Sequence, residues 1–382
     1  MQKSKNPFPV VSYLGPEYFC DRKEETKTMI EALTAGRSIC LYSIRRLGKT
    51  GLIQHVLGKL ARKRRYIAVY IDIYDTLDEK DFVNRICSAV LAMLEKKNDN
   101  YLKSLSRFFG KFRPKISLDP VTGQPSFELD IRTEQEVRLS LDSLVAIISE
   151  QKKNVIIALD EFQQINHYQR KTLSATLRKY IQNVQNLHFI FSGSQRQMLV
   201  EMFTSPKQAL FRTTQMMPLD KINEKEYYEY IRFHFRQGLR NIPDSIIDEI
   251  LSWTRIHTYY TQYLCHRLYE KTSKSVREED LENIKNQIIK ENEPMFQNYR
   301  RLLSPQQWKL LRAIGQERKV QEPTSKSFIQ KYELGSHSTV RLSLKYLEEH
   351  ELIYAEYEND EIKPNYYVYD LLLAKWIEDL RK

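Results

Sequence analysis

One segment, Ser43-Ile-Arg-Arg-Leu-Gly-Lys-Thr50, constrains the fold of this 382-residue chain more than any other. It lies between a short apolar run, Arg37 to Tyr42, and a stretch carrying Leu52, Ile53, Val56, Leu57 and Leu60 at helical spacing. The segment therefore reads as the turn between a buried strand and a helix. It matches the phosphate-binding pattern G-x-x-x-x-G-K-[ST], except that Ser43 stands at the first glycine. Backbone N–H groups of such a loop, with the N-terminus of the helix behind it, point at a phosphate. The anion satisfies the helix's orphan donors and lies favourably in its dipole. Ser43, Ile44, Arg45, Arg46, Leu47, Gly48, Lys49, Thr50 and Gly51 are thus the candidate phosphate-binding residues. Lys49 is expected to neutralise the outer phosphates, and the Thr50 hydroxyl to complete a Mg²⁺ shell that keeps several waters. Because the first position often uses glycine's backbone freedom, Ser43 is expected to carry strain.

About 110 residues later, Asn154 to Leu159 (NVIIAL) is a continuous apolar run suited to the middle of a parallel sheet, and it ends in Asp160-Glu161. Carboxylates placed there reach the C-terminal edge of the sheet, where ligands bind in such folds. Asp160 is expected to hold Mg²⁺ through its water shell, and Glu161 to orient and polarise an attacking water. The next buried run, Leu187 to Phe191, is followed by Ser192, Ser194 and Gln195, one of which is placed to reach the γ-phosphate or that water. Ser194 is the candidate catalytic residue among them.

The alternation of strands and helices up to Leu219 implies an α/β class with a doubly wound parallel sheet. Helices are expected over Arg22 to Leu33, Gly51 to Leu60, Phe82 to Leu94, Glu134 to Glu150 and Gln169 to Val184. Lys115 to Ile131 alternates around Asp119-Pro-Val-Thr-Gly-Gln-Pro125 and reads as a two-stranded insertion, a β-hairpin at about residues 112–133. Beyond Leu219 the pattern is helical. From Ser304 it becomes three helices and a β-hairpin, the order of a winged helix-turn-helix. The expected domains are a phosphate-loop domain over 1–219, a helical lid over 220–296 and a winged helix over 297–382.

Composition narrows the function. The longest apolar runs are about five residues, far below the roughly 20 a membrane-spanning helix needs. With no apolar block near Met1 either, a cytoplasmic location and no membrane partner are expected. The four cysteines stand singly, without zinc or redox spacing. The formal charge is +11, yet residues 301–382 hold 13 basic and 13 acidic residues, so the whole excess lies upstream. Two clusters stand out: Lys59, Arg62, Lys63, Arg64 and Arg65, and Lys103, Arg107, Lys111, Arg113 and Lys115. Each reads either as a solvated face or as an anion-binding surface.

Phe19-Cys-Asp-Arg-x-x-Glu25, Arg45-Arg-x-Gly-Lys-Thr50 and Leu159-Asp-Glu-Phe-Gln163 together make the chain resemble the archaeal-type ATPases, with Walker A and Walker B motifs. That family belongs to the additional-strand P-loop class near the AAA+ and STAND NTPases. The resemblance extends over nearly the whole length, through Thr254 to Gln262 and Val368-Tyr-Asp with Trp376. It implies that Phe19 and Arg22 border an adenine pocket, that Arg212 faces the phosphates, and that His257 and Tyr260 contact nucleotide. At Ile256 and Thr258 this chain departs from the family's Gly and Pro.

Three functions follow as expectations. The first is a slow Mg²⁺-dependent ATPase that binds ATP and ADP and acts as a conformational switch toward a protein partner. The second is a nucleotide-gated DNA-binding regulator that uses the winged helix or the basic patches of the N-terminal domain, the latter being the better candidates. Against it, the recognition helix pairs Arg341 and Lys345 with Glu348 and Glu349, and the hairpin behind it carries Glu356, Glu358, Asp360 and Glu361. The third is a scaffold that holds nucleotide without hydrolysing it.

Overall fold

Short runs rich in β-branched and aromatic residues supply the strands β1 (Ile39–Tyr42), β2 (Tyr66–Asp72), β3 (Pro114–Leu118), β4 (Pro125–Leu129), β5 (Asn154–Asp160), β6 (Leu187–Gly193) and β7 (Gln215–Pro218). In the computed structural model, which describes residues 6–95, 114–118, 125–129, 131, 133–169, 172–357 and 362–380, five of these form one parallel sheet in the order β2-β5-β6-β1-β7. The strand leading into the Ser43 loop and the strand ending in Asp160 are therefore not neighbours, because β6 is inserted between them. That insertion is the additional strand the resemblance implied. β3 and β4 pair antiparallel as a separate ribbon, as the alternation around them anticipates.

The helices are α1 (Lys23–Thr34), α2 (Lys49–Ala61), α3 (Glu79–Glu95), α4 (Glu134–Ser149), α5 (Leu173–Asn183), α6 (Arg196–Thr204), α7 (Glu224–Gln237), α8 (Asp244–Thr254), α9 (Thr258–Lys271) and α10 (Glu278–Leu302). Side chains alternate between the two faces of the sheet. Val155, Ile157 and Leu159 of β5 join Phe82, Ile86 and Val90 of α3 and Leu141, Leu144 and Ile148 of α4 in one core. Ile156 and Ala158 join Met29 and Leu33 of α1 and Leu52, Ile53, Val56 and Leu60 of α2 in the other. Each such aliphatic or aromatic side chain contributes about 1.5–3 kcal/mol by leaving water, so both layers hold the sheet rigid. Where α4 starts, Thr133 accepts from the Glu136 N–H while the Glu136 side chain accepts from the Thr133 N–H. This reciprocal cap satisfies two otherwise orphaned donors.

The chain divides into two compact units, Met1–Tyr230 with Ile256–Gln262, and Ile231–Arg255 with Tyr263–Lys382. The second contains α8, α10 and a winged helix built from α11 (Pro305–Glu317), α12 (Lys326–Lys331), α13 (His337–Glu349), the antiparallel pair β8 (Ile353–Glu356) and β9 (Asn365–Val368), and α14 (Leu371–Asp379). Within it Trp376 of α14 packs beside Phe296 of α10 at 5.6 Å and Trp308 of α11 at 6.1 Å between ring centres. Glu378 binds Arg255 at 3.3 Å and Arg318 at 3.1 Å.

Sequence periodicity missed α6 and α14, and α10 runs through Pro294 to Leu302. The basic cluster from Lys103 to Lys115, the tip of the ribbon, and Glu358, Asp360 and Glu361 lie outside the residues whose side chains are described.

Arg255 and Ile256 are both left-handed, with φ of 52° and 56°. A β-branched residue there is a genuine outlier that costs of the order of 1–3 kcal/mol. Ile256→Gly is expected to raise stability by about 1 kcal/mol once the glycine's extra unfolded-state entropy is subtracted. Denaturant unfolding measures this, and a lower midpoint would show that the side chain's packing outweighs its strain.

Candidate functional site

The loop between β1 and α2 folds around its own lysine. Lys49 and Ser43 are both buried, and the Lys49 Nζ donates to Ser43 Oγ at 3.0 Å, to the Ile44 carbonyl at 3.2 Å and to the Ser43 carbonyl at 3.4 Å. The turn is made by left-handed Arg46 (φ 65°) and Gly48 (φ 96°). Ser43 is not among the left-handed residues, so the strain expected of it is absent: the positive φ falls later in the loop, at Arg46 and Gly48. Gly48 caps α2 with no side chain accepting from the first turn, which leaves that turn's N–H groups for an anion. Three outside contacts brace the loop. The Arg22 Nη2 donates to the Leu47 carbonyl at 3.2 Å, the Thr258 Oγ1 to the same carbonyl at 3.0 Å, and the Tyr259 N–H to the Arg46 carbonyl at 3.1 Å.

The acid pair meets this loop directly. Thr50 Oγ1 donates to Asp160 Oδ2 at 2.8 Å, and Tyr70 Oη donates to the same oxygen at 2.8 Å. Asp160 Oδ1 accepts from Ser192 Oγ at 2.5 Å and from the Glu161 N–H at 3.1 Å. Asp160 is only 4% exposed, and four donors satisfy it. Burial first, and then the neighbouring Asp160 charge, push the Tyr70 hydroxyl's pKa up, so it stays a donor. Glu161 sits in a left-handed turn at the strand exit (φ 55°). Its Oε2 accepts from Gln163 Nε2 at 2.5 Å, from Ser194 Oγ at 2.8 Å and from the Ser194 N–H at 3.2 Å. A Cβ on Gly193 would fall 1.9 Å from Gln163 Oε1, so glycine there makes room for that amide.

These groups line one cleft of about 470 Å³. Its polar lining includes Arg45, Lys49, Thr50, Asp160, Glu161 and Ser194, and its apolar lining includes Pro9, Val10, Tyr13, Tyr18, Phe19 and Ile222. Phe19 stacks on His55 at 4.3 Å and 16°, and Tyr13 Oη shares a hydrogen bond of 2.8 Å with His55 Nδ1. Burial, helped by Lys59 and Arg62, pushes the pKa of His55 down to about 4, so the ring is neutral near pH 7.

Of the residues singled out from sequence, Phe19, Arg22, Arg45, Arg46, Leu47, Gly48, Lys49, Thr50, Gly51, Asp160, Glu161 and Ser194 line the cleft. Ser43 and Ile44 lie behind it as acceptors for Lys49. Tyr260 accepts from Arg46 Nη1 at 3.0 Å, and the His257 ring lies 4.8 Å from that of Tyr260, tilted by 55°; neither lines the cleft, whereas Thr258, Tyr259 and Gln262 do. Arg212 is exposed over Phe211, three residues ahead of β7. In a parallel sheet that places it toward the edge opposite the acid pair, not facing this cleft. Tyr70, His55, Tyr13 and Gln163 went unrecognised. Only the Gln of Asp160-Glu-Phe-Gln163 carried a local signal.

A cation would find a threonine hydroxyl and a carboxylate here, both hard oxygen donors suited to Mg²⁺. Among the described residues no group of three or more His, Cys, Asp or Glu is placed to hold a metal. The chain's own donors therefore fit an ion whose remaining ligands are phosphate oxygens and water. Two measurements probe the site. Tyr70→Phe removes one donor from a buried carboxylate and is expected to cost about 2 kcal/mol in denaturant unfolding; an unchanged midpoint would contradict this. The folded-state pKa of His55 lies below the unfolded value near 6.5, so the unfolded state takes up its proton first. The associated stability is present above pH about 6.5 and is lost as pH falls toward about 4. His55→Phe, which keeps the stack, should flatten the stability–pH curve over that window, and parallel curves for the two proteins would contradict the assignment.

Comparison with known proteins agrees with this arrangement. Residues 19–264 match the ATPase domain predominantly from Archaea, and residues 294–379 match a probable winged helix domain. A Walker-type ATPase of Pyrococcus abyssi is similar in structure, with a TM-score of 0.66 at 18% identity over 97% of this chain and 99% of its own. The ORC2 protein of Aeropyrum pernix in its ADPNP-ADP complexes gives 0.58 at 15% identity, over 99% and 98%. The ORC1 protein of the same organism in complex with DNA gives 0.52 at 12% identity, over 98% and 96%. At these identities the likeness is one of fold. No curated protein matches the sequence. The chain therefore belongs to the family of nucleotide-binding ATPase domains found predominantly in Archaea.

Proposed function

We propose that the chain binds ATP with Mg²⁺ in the cleft of the first unit and hydrolyses it slowly to ADP and phosphate, using the cycle as a conformational switch. The observation that carries this reading is the 2.8 Å contact between Thr50 Oγ1 and Asp160 Oδ2. It brings the phosphate-binding loop and the acid pair to a single point, so one ligand would touch both.

In this reading the N–H groups at the start of α2 take the β-phosphate. Lys49 turns from the Ser43 and Ile44 oxygens toward the outer phosphates, exchanging neutral acceptors for charged ones. Thr50 and Asp160 hold the cation, which when bound offsets charge on the phosphate oxygens. Glu161 accepts the proton of the attacking water. It is held by Ser194 and Gln163 and must give up one of these bonds to do so. Phe19, backed by His55 and Tyr13, offers an aromatic wall for the base, and Arg22 braces the loop from behind Leu47. Slow turnover fits a carboxylate already engaged. The lid over 220–296 and the winged helix over 297–382 would read out the nucleotide state, the latter toward a protein partner. Its α13 favours that role over DNA: Lys345 lies 3.6 Å from Glu349, and Glu348 shares the helix.

Lys49→Ala is expected to weaken ATP binding by about tenfold or more, through removal of a charge-assisted bond. Glu161→Gln should retain ATP binding while slowing phosphate release by about 10²–10⁴-fold. Calorimetry with ATP, ADP and GTP and a phosphate-release assay check both. Undiminished release from Glu161→Gln would remove it as the base. Tight ATP binding without release by the native protein would leave a non-hydrolysing scaffold.

A further inference from the structure

The positive charge of the first 300 residues is only partly used by the cleft, which is lined by Arg22, Arg45, Arg46 and Lys49. Strand direction shows where more of it goes. Since β1, β2 and β5 are parallel, the residues that precede them share one edge of the sheet, and the cleft opens at the other edge. Ahead of β2 stand Arg62, Lys63, Arg64 and Arg65, all exposed; ahead of β5 stands exposed Lys152, and ahead of β1 exposed Arg37. Exposed Lys59, in the last turn of α2, adds to the first group.

These approaches are fixed relative to each other. The Asn154 N–H donates to the Arg65 carbonyl at 2.9 Å, joining the β2 and β5 entries. Asn186 Nδ2 donates to the Ile148 carbonyl at 2.8 Å and the Gln151 carbonyl at 3.1 Å, pinning the loop that carries Lys152. Among the described residues, Arg37, Arg62, Lys63, Arg64, Arg65 and Lys152 make no ion pair. The carboxylates nearest in sequence are Glu31, Asp72 and Glu150, and Asp72 stands at the far end of β2.

We propose that this edge is a docking surface for the phosphate backbone of duplex DNA, gripped without regard to sequence. Exposed guanidinium and ammonium groups on a fixed backbone, without an ion pair among the described residues, suit a polyanion, since neutralising phosphates releases condensed counterions. The duplex is favoured over a single strand because the edge offers no stacking platform: none of the large apolar side chains exposed among the described residues lies at these strand entries. The spacing also suits a duplex. β1 and β2 are separated by β5 and β6, three steps of about 4.8 Å, so the two strand entries that carry Arg37 and Arg62–Arg65 stand about 14 Å apart, close to a major-groove width of about 12 Å.

Fluorescence anisotropy with the full chain, a labelled mixed-sequence duplex and a salt series tests this. The native protein should bind with a steep salt dependence. The triple variant Lys63→Gln, Arg64→Gln, Lys152→Gln should bind about tenfold or more weakly, with a salt slope shallower by about 0.9 for each phosphate that is no longer neutralised. Its ATP hydrolysis should be unchanged, which also reports that it is folded. Arg341→Gln with Lys345→Gln in the winged helix should leave binding intact. The proposal is overturned if the native protein shows no salt-dependent binding, if the triple variant binds as tightly as the native protein, if a single strand of the same sequence binds as tightly as the duplex, or if anionic vesicles compete the duplex away.

Discussion

The carboxylate of Asp160 is the point on which the site depends. A buried charge is tolerated only when its lone pairs are met, and four donors meet these. They come from different elements: Thr50 at the start of α2, Tyr70 on β2, Ser192 on β6 and the backbone of Glu161. The insertion of β6 between β1 and β5 makes this possible. It separates the loop from the acid pair by one strand and fills the gap with a serine that bonds back to the acid. Removing any one donor leaves a buried carboxylate under-satisfied, so the sheet order and the loop position support one another.

The same logic governs Lys49. Its ammonium is buried, and the chain collars it with two carbonyls and the hydroxyl of the residue standing where the pattern has glycine. Ser43 is therefore neutral in backbone terms and active in side-chain terms: it supplies an acceptor that glycine lacks. The collar thereby ties the lysine to the loop that carries it. Thr258 plays a comparable part. Standing where the resemblance has proline, it uses its hydroxyl to hold the Leu47 carbonyl.

Much of this was legible in the amino-acid order, for physical reasons that also mark where reading stops. Apolar runs such as Val155 to Leu159 announce buried strands because both faces of a parallel sheet are covered. The Lys49–Thr50 and Asp160–Glu161 pairs declare their chemistry locally. Tyr70 does not, because its hydroxyl reaches Asp160 only through the register that sets Tyr70 against Ala158. His55 gives no local sign either, because its stacking partner Phe19 lies 36 positions away in sequence. Arg212 was assigned toward the phosphates by resemblance, yet α6 carries the chain back across the sheet before β7 begins. The run of α10 through Pro294 shows tertiary packing around Phe296 overriding a local helix breaker.

The most direct test of convergence on one ligand is electron–nuclear double resonance of Mn²⁺, used in place of Mg²⁺, on the protein with ATP. The account requires ³¹P couplings from the bound nucleotide and release of the tightly bound ion in Asp160→Asn. A tightly bound ion with no phosphorus coupling, or one indifferent to that substitution, would mean that the loop and the acid pair serve different ligands.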